Sequence, residues 1–132
     1  MTIALDHLIV PSCEREAAAA LLADLLGVSW AKTGVGPFCP VFVNDGLTLD
    51  FDDVEGSMPV MHYCFRVDEA TFDAIVSRLH ARDIGYRSTP HGPVNRRVNT
   101  SHGGRIVYWD RPDGHVWEAL TVSYARSPAR DP

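Results

Sequence analysis

Three residues in this sequence have the chemistry of metal ligands, and each stands inside an apolar run that reads as a β-strand. They are His7 in Leu5-Asp6-His7-Leu8-Ile9-Val10, His62 in the run from Val60 to Val67, and Glu118 in Val116-Trp117-Glu118-Ala119-Leu120. Alternate side chains of a strand face opposite sides of a sheet. His7 therefore shares a face with Leu5 and Ile9, His62 with Cys64 and Arg66, and Glu118 with Val116 and Leu120. An unpaired buried polar group costs about 1–3 kcal/mol and a lone carboxylate costs more. Two imidazoles and a carboxylate can satisfy one another through a shared cation. That donor set suits Fe(II), Mn(II), Zn(II) or Ni(II) and leaves coordination positions open, which is what catalysis requires. A single strand histidine is more often an ordinary core or hydrogen-bonding residue. The weight of the set lies in its three members falling at equivalent points of a repeated pattern.

The pattern consists of the elements that must position them. Ile3 to Val10 reads as a strand stopped by Pro11, and Ser12 can cap a helix with Glu14 and Glu16 in its first turn. The alanine- and leucine-rich stretch from Ala17 to Leu26 is strongly helix-forming, with Gly27 as its stop. Strands follow at Phe38 to Asn44 and Leu47 to Asp53, joined by the hairpin signal Asn44-Asp45-Gly46. The order then repeats. Val60 to Val67 reads as a strand, and Asp68 can cap a helix from Glu69 to Arg82 with Phe72, Ile75, Val76 and Leu79 on one face. Short extended stretches lie at Gly85 to Ser88 and Arg105 to Asp110, and after the turn Arg111-Pro112-Asp113-Gly114 the last strand runs from His115 to Tyr124. The fold class is α+β, with one domain over 1–126, a first module of about 1–55, a second of about 59–126, and a frayed tail at 127–132.

The chain has 132 residues, 45% of them hydrophobic and 22% charged, so it can bury a core without metal or disulfide staples. A metal here would serve chemistry rather than folding. A net charge of −5 argues against nucleic acid or an anionic membrane as partner. Three cysteines without CxxC spacing suggest neither a disulfide framework nor a cysteine zinc site. With no leader-like or membrane-spanning segment visible, the reducing cytoplasm is the expected location.

The sequence resembles the glyoxalase, bleomycin-resistance and extradiol-dioxygenase superfamily, the vicinal oxygen chelate proteins, over nearly its whole length. The most specific piece is Tyr108-Trp109-Asp110-Arg111-Pro112-Asp113-Gly114-His115-Val116-Trp117-Glu118, similar to the family's strand, D-P-D-G turn and strand ending in a Glu ligand. Here Arg111 stands between the usual Asp and Pro. The resemblance implies two βαβββ modules forming curved mixed sheets around a cleft, and a homodimer. It also implies a divalent cation (Fe, Mn, Zn or Ni) held by His7, His62 and Glu118. A fourth family position, Glu or Gln in glyoxalases, falls at or near Asp50, whose side chain is one methylene shorter. Asp50 is read either as a ligand or catalytic base or as a solvated strand carboxylate.

The stretch between Ser88 and Gly104 has no clear periodicity and suits a lid or binding loop. Arg96, Arg97, His102 and Arg105 could clamp an anion by charge-assisted hydrogen bonds. Arg105 and Tyr108 are the better pocket candidates, and Arg96 and Arg97 read rather as solvated. His80 and His115 show no visible partners and read as surface residues.

Two functions of different class follow. The first is a metal-dependent enzyme acting on a small anionic substrate, by isomerase or lyase chemistry, thiol transfer or dioxygenation. In it Asp50 is a catalytic group, and Arg105, Tyr108 and His102 contact substrate. The second is a metal-free, antibiotic-sequestering binding protein of the bleomycin-resistance kind.

Overall fold

A computed structural model of the chain describes residues 2–125, so the tail expected at 127–132 lies outside the described residues. The chain divides into two compact units. One comprises the residues up to Val60 together with Arg111–Gly114; the other comprises Met61–Asp110 with the residues from His115 on. Each unit carries a strand, a helix and three further strands, an α+β fold of two βαβββ modules. No helix among the described residues is long and apolar enough to cross a membrane.

In the first unit β1 (His7–Ser12) is followed by α1 (Arg15–Leu26), β2 (Ser29–Trp30), β3 (Cys39–Asn44) and β4 (Leu47–Asp53). The sheet order is β1-β4-β3-β2, with β1 parallel to β4 and the other pairs antiparallel. α1 forms because straight-chain and alanine residues lose little side-chain freedom in a helix. It buries Ala18, Ala19, Leu22, Ala23, Leu25 and Leu26 beside β3 and β4, whose Cys39, Val41, Leu49 and Phe51 are also buried. Full burial of one such leucine is worth about 1.5–3 kcal/mol. Gly27 closes the helix at φ 73°, a left-handed cap that glycine adopts without steric cost.

Two local expectations at the start of α1 are corrected. β1 does not stop at Pro11 but continues to Ser12, because it is an edge strand, where a missing N–H is tolerated. Ser12 is not the cap of α1. Its hydroxyl accepts from the Glu14 N–H at 3.2 Å, and Asp53 Oδ1, at the end of β4, accepts from the Arg15 N–H at 2.8 Å. A carboxylate distant in sequence thus satisfies a helix-start donor. β1 also begins at His7 rather than Ile3, and Ile3 and Leu5 are exposed.

The second unit contains β5 (His62–Arg66), α2 (Glu69–Ala81), β6 (Tyr86–Arg87), β7 (Ile106–Trp109) and β8 (Val116–Leu120), in the sheet order β5-β8-β7-β6. β5 is parallel to β8 and the rest is antiparallel, the same arrangement as in the first unit. Asp68 caps α2 by accepting from the Thr71 N–H at 2.7 Å, as the sequence suggests. Phe72, Ile75 and Leu79 form the buried face of α2. Arg105, of the same parity as Val107 and Trp109, reaches Glu69 and Asp73 of α2, which puts the helix on that side of the sheet. Ile106, Tyr108, Val116 and Leu120 cluster on the other side, with Tyr124 packed against them. β8 ends at Leu120 rather than Tyr124, so Tyr124 reaches the sheet from the segment after it.

The stretch between β6 and β7 is tied down. Asn99 pairs with Ile106 across an isolated bridge and donates from its side chain to the Ser88 carbonyl at 3.0 Å. Buried Arg87 donates to the Thr89 and Pro90 carbonyls and to Asp110 Oδ2. His115 is not a surface residue: it is fully buried and its Nδ1 accepts from the Met61 N–H at 3.0 Å. His80 likewise has a partner, the Tyr86 hydroxyl at 2.6 Å from Nε2.

Candidate metal centre

In the second unit, β5 and β8 run parallel with His62 opposite Val116 and Cys64 opposite Glu118. This register puts His62, Cys64 and Glu118 on the face turned away from α2. His62 Nε2 lies 2.8 Å from Glu118 Oε1. The Glu118 side chain is fully buried, whereas His62 is partly exposed. The Tyr124 hydroxyl donates to Glu118, at 3.0 Å from Oε1 and 2.8 Å from Oε2. Tyr108 stands opposite Glu118 in β7, and its ring meets His62 edge-on at 6.3 Å between centroids.

The electrostatics of this cluster follow from burial around one carboxylate. Loss of solvent and the neighbouring Glu118 charge push the Cys64 thiol up to about 12. Burial, then the hydrogen bond to Glu118, raises the Tyr124 phenol above its ordinary value. Burial and the Glu118 charge raise Tyr108 in the same direction. All three groups are held neutral beside Glu118. None of the hydrogen-bond or ion-pair partners found for Glu118 among the described residues is a lysine or arginine.

In the first unit, β1 and β4 repeat the register: His7 is opposite Thr48 and Ile9 is opposite Asp50. His7 therefore occupies in β1 the place of His62 in β5, and Asp50 occupies in β4 the place of Glu118 in β8. His7 is exposed, and its Nδ1 contacts Asp6 Oδ2 at 2.7 Å, which, with the Asp6 and Asp50 charges, raises its pKa. A carboxylate on one ring nitrogen orients the imidazole and leaves the other nitrogen for a cation. Asp50 is half-buried on the face opposite buried Leu49 and Phe51.

Among the described residues no three His, Cys, Asp or Glu side chains are gathered as a ready metal cage. The residues present nevertheless fit a cation at His62 and Glu118. Ligand atoms on neighbouring corners of a metal, each about 2.0–2.2 Å from it, lie about 3 Å apart, close to the His62–Glu118 separation. A buried carboxylate beside an imidazole and neutral hydroxyls also lacks the positive charge that burial ordinarily demands.

The other site residues expected from the sequence divide. Tyr108 joins Glu118. His102 lies beside Tyr124, 5.6 Å between ring centroids. Arg105 is on the opposite face, bound to Glu69 and Asp73 with its guanidinium 4.4 Å from the Phe72 ring centroid, so its placement as a substrate residue is corrected. Its strand parity, odd like Trp109, already separated it from Tyr108. Arg96 is paired with Asp83. Sequence reasoning missed Tyr124 and Arg66. Arg66 shares the parity of His62, a signal present in the sequence, whereas Tyr124 reaches Glu118 only through the turn after β8. Together with Cys64, Leu120, Ser123 and Ala125 these two line a pocket of about 540 Å³.

No protein-family model and no curated protein matches the chain. Solved structures do. "Oxidase ChaP-H2" is 37% identical, with a TM-score of 0.88 over 95% of this chain and 98% of that one. "Oxidase ChaP-H1" is 39% identical, with a TM-score of 0.86 over 94% and 99%. A glyoxalase/dioxygenase from Nostoc punctiforme shares the fold at 21% identity and a TM-score of 0.65, covering 91% of each chain. The chain belongs to the vicinal oxygen chelate superfamily. A lactoylglutathione lyase from Agrobacterium tumefaciens, at 19% identity and a TM-score of 0.66 over 89% of this chain and 92% of that one, is a further fold relative. Within the superfamily, this chain's high-identity neighbours carry the name oxidase, while the neighbours of low identity span lyase and dioxygenase names.

Proposed function

We propose that this chain is a metal-dependent oxidase of the vicinal oxygen chelate type, acting on a small anionic substrate. The observation that carries the reading is the His62 Nε2–Glu118 Oε1 separation of 2.8 Å around a fully buried carboxylate. His62 and Glu118 are two protein ligands of a divalent cation, and the family resemblance assigns the third to His7, which holds the equivalent register position in its own unit. Two histidines and one carboxylate are the donor set of non-haem iron oxygenases, and the oxidase names of the neighbours at 37% and 39% identity favour a redox metal over zinc. When bound, the cation supplies open positions for substrate oxygen and dioxygen and stabilises developing negative charge.

The chain's own residues then divide the remaining work. Tyr124 holds Glu118 by two hydrogen bonds and fixes its orientation. Tyr108 closes the apolar wall beside His62. Asp50, which holds in its own unit the register position of Glu118, is the first unit's candidate general base. His102, next to Tyr124, flanks the same region. The protein acts as a homodimer. The exposed apolar residues Ile3, Leu5, Ile9, Val60 and Met61, along and beside edge strands, support that assembly.

The test is anaerobic loading with Fe(II), followed by nitric oxide as a dioxygen mimic and electron paramagnetic resonance. The reading expects one high-spin iron–nitrosyl signal per chain, abolished by His62→Ala. Absence of the signal in protein that binds Zn(II) at the same residues moves the function to lyase or isomerase chemistry. Absence of any bound metal leaves ligand sequestration.

A further inference from the structure

The pocket beside Glu118 is lined by six described residues, of which Arg66 is the one with a charged side chain. Arg66 is exposed at the end of β5, on the face it shares with His62 and Cys64, and pairs in register with Leu120. Other arginines of the chain are already engaged: Arg15 with Asp53, Arg87 with Asp110, Arg96 with Asp83 and Arg105 with Asp73. Arg66 meets no carboxylate among the described residues. Glu118 does not serve it, since its oxygens are occupied by His62 and Tyr124. The rest of the lining is Cys64, the apolar Leu120 and Ala125, Ser123, and Tyr124, whose hydroxyl is engaged with Glu118. A cavity of about 540 Å³ falls within the roughly 300–1,000 Å³ of small-molecule sites.

We infer that Arg66 is the specificity-determining residue of the site, pairing with the carboxylate of an elongated organic acid whose other end reaches His62 and Glu118. The planar guanidinium fork matches a carboxylate in bidentate fashion, which a lysine does not reproduce. Strand geometry gives the backbone spacing between the anchor and the pair. Arg66 is four residues from His62 along β5 and two from the position opposite Glu118, or about 13 Å and 7 Å at ~3.3 Å per residue. These are backbone spacings, and the long Arg66 side chain shortens the gap; what remains suits an extended skeleton such as a bicyclic acid, with its apolar body against Leu120. The inference rests on the metal-centre reading only for what lies at the far end of the substrate; the anion anchor itself stands in metal-free protein.

The experiment uses the full chain stripped of metal, with 2-naphthoate and its uncharged counterpart 2-naphthamide as probes, by isothermal titration calorimetry. The expected result is a preference of at least tenfold for the carboxylate, absent in Arg66→Gln and partly kept in Arg66→Lys. Thermal midpoints of the variants establish that each is folded. Equal or undetectable binding of the two probes by the wild type overturns the inference, as does a preference that survives Arg66→Gln. A wild-type chain that binds no cation yet shows the Arg66-dependent preference defeats the oxidase reading and leaves the anion anchor standing.

Discussion

The carboxylate of Glu118, fully buried, stands 2.8 Å from the ring nitrogen of partly exposed His62, on neighbouring strands of one sheet. Burial of a carboxylate in company with neutral phenols and a thiol is unfavourable unless positive charge reaches it. The partly exposed imidazole marks the side from which a cation arrives.

Tyr124 is the residue that holds it most directly. Replacing it by Phe removes both hydrogen bonds to Glu118 while keeping the ring packed against the cluster of Ile106, Tyr108, Val116 and Leu120. Outer-sphere partners of this kind are worth roughly 10–100-fold in metal affinity. Tyr124→Phe is expected to weaken Fe(II) or Mn(II) binding by that factor with the circular dichroism spectrum unchanged. Unaltered affinity would make Tyr124 a packing residue.

Arg87 anchors the segment that follows β6. Its guanidinium, nearly buried, donates to Asp110 and to two loop carbonyls. Arg87→Ala leaves those carbonyls without their donor and is expected to cost about 2–3 kcal/mol in chemical denaturation. Arg87→Lys recovers only part of the loss, because an ammonium does not reproduce the planar fork. Full recovery by lysine would show that charge alone matters there.

The start of α2 carries a pH signature. Hydrogen bonding from Thr71, first by its side chain and then by its N–H, holds the Asp68 carboxyl below its ordinary value. A depressed carboxyl pKa contributes stability above the unfolded-state pKa and loses it as pH falls through the lowered folded-state value. Asp68→Ala should therefore melt below the wild type at pH 7, and the gap should close on acidification through the carboxylate range. Thermal unfolding from pH 7 to pH 2 measures it, and a gap that stays constant with pH would deny the charged cap.

Much of this was legible in the sequence, for reasons that differ between residues. The repeat of strand, helix and strands could be read because apolar periodicity and end signals such as Asp68 and Gly27 are local. Parity placed His62 and Glu118 on definite faces of their strands, and the register of β5 with β8 brings those faces together. Arg105 was misjudged because its engagement with Glu69 and Asp73 depends on helix packing over the sheet. His115 was misjudged because its partner, the Met61 N–H, is 54 residues away. Tyr124 was missed for a different reason: β8 ends at Leu120, and the turn that brings a tyrosine back to Glu118 has no periodicity to betray it. Equivalence of Asp50 with Glu118 became visible only with the register of both units.

The most direct test of the central claim is metal stoichiometry in Glu118→Gln. The substitution keeps the shape of the side chain and its place beneath Tyr124 but removes its charge. Wild-type chain prepared without chelators or a histidine tag should carry about one equivalent of a divalent transition metal by elemental analysis. Glu118→Gln should carry almost none at equal thermal stability or higher, since an uncompensated buried charge has been removed. Equal metal content in both proteins, or none in either after incubation with Fe(II), Mn(II), Zn(II) and Ni(II), would contradict a metal centre at His62 and Glu118.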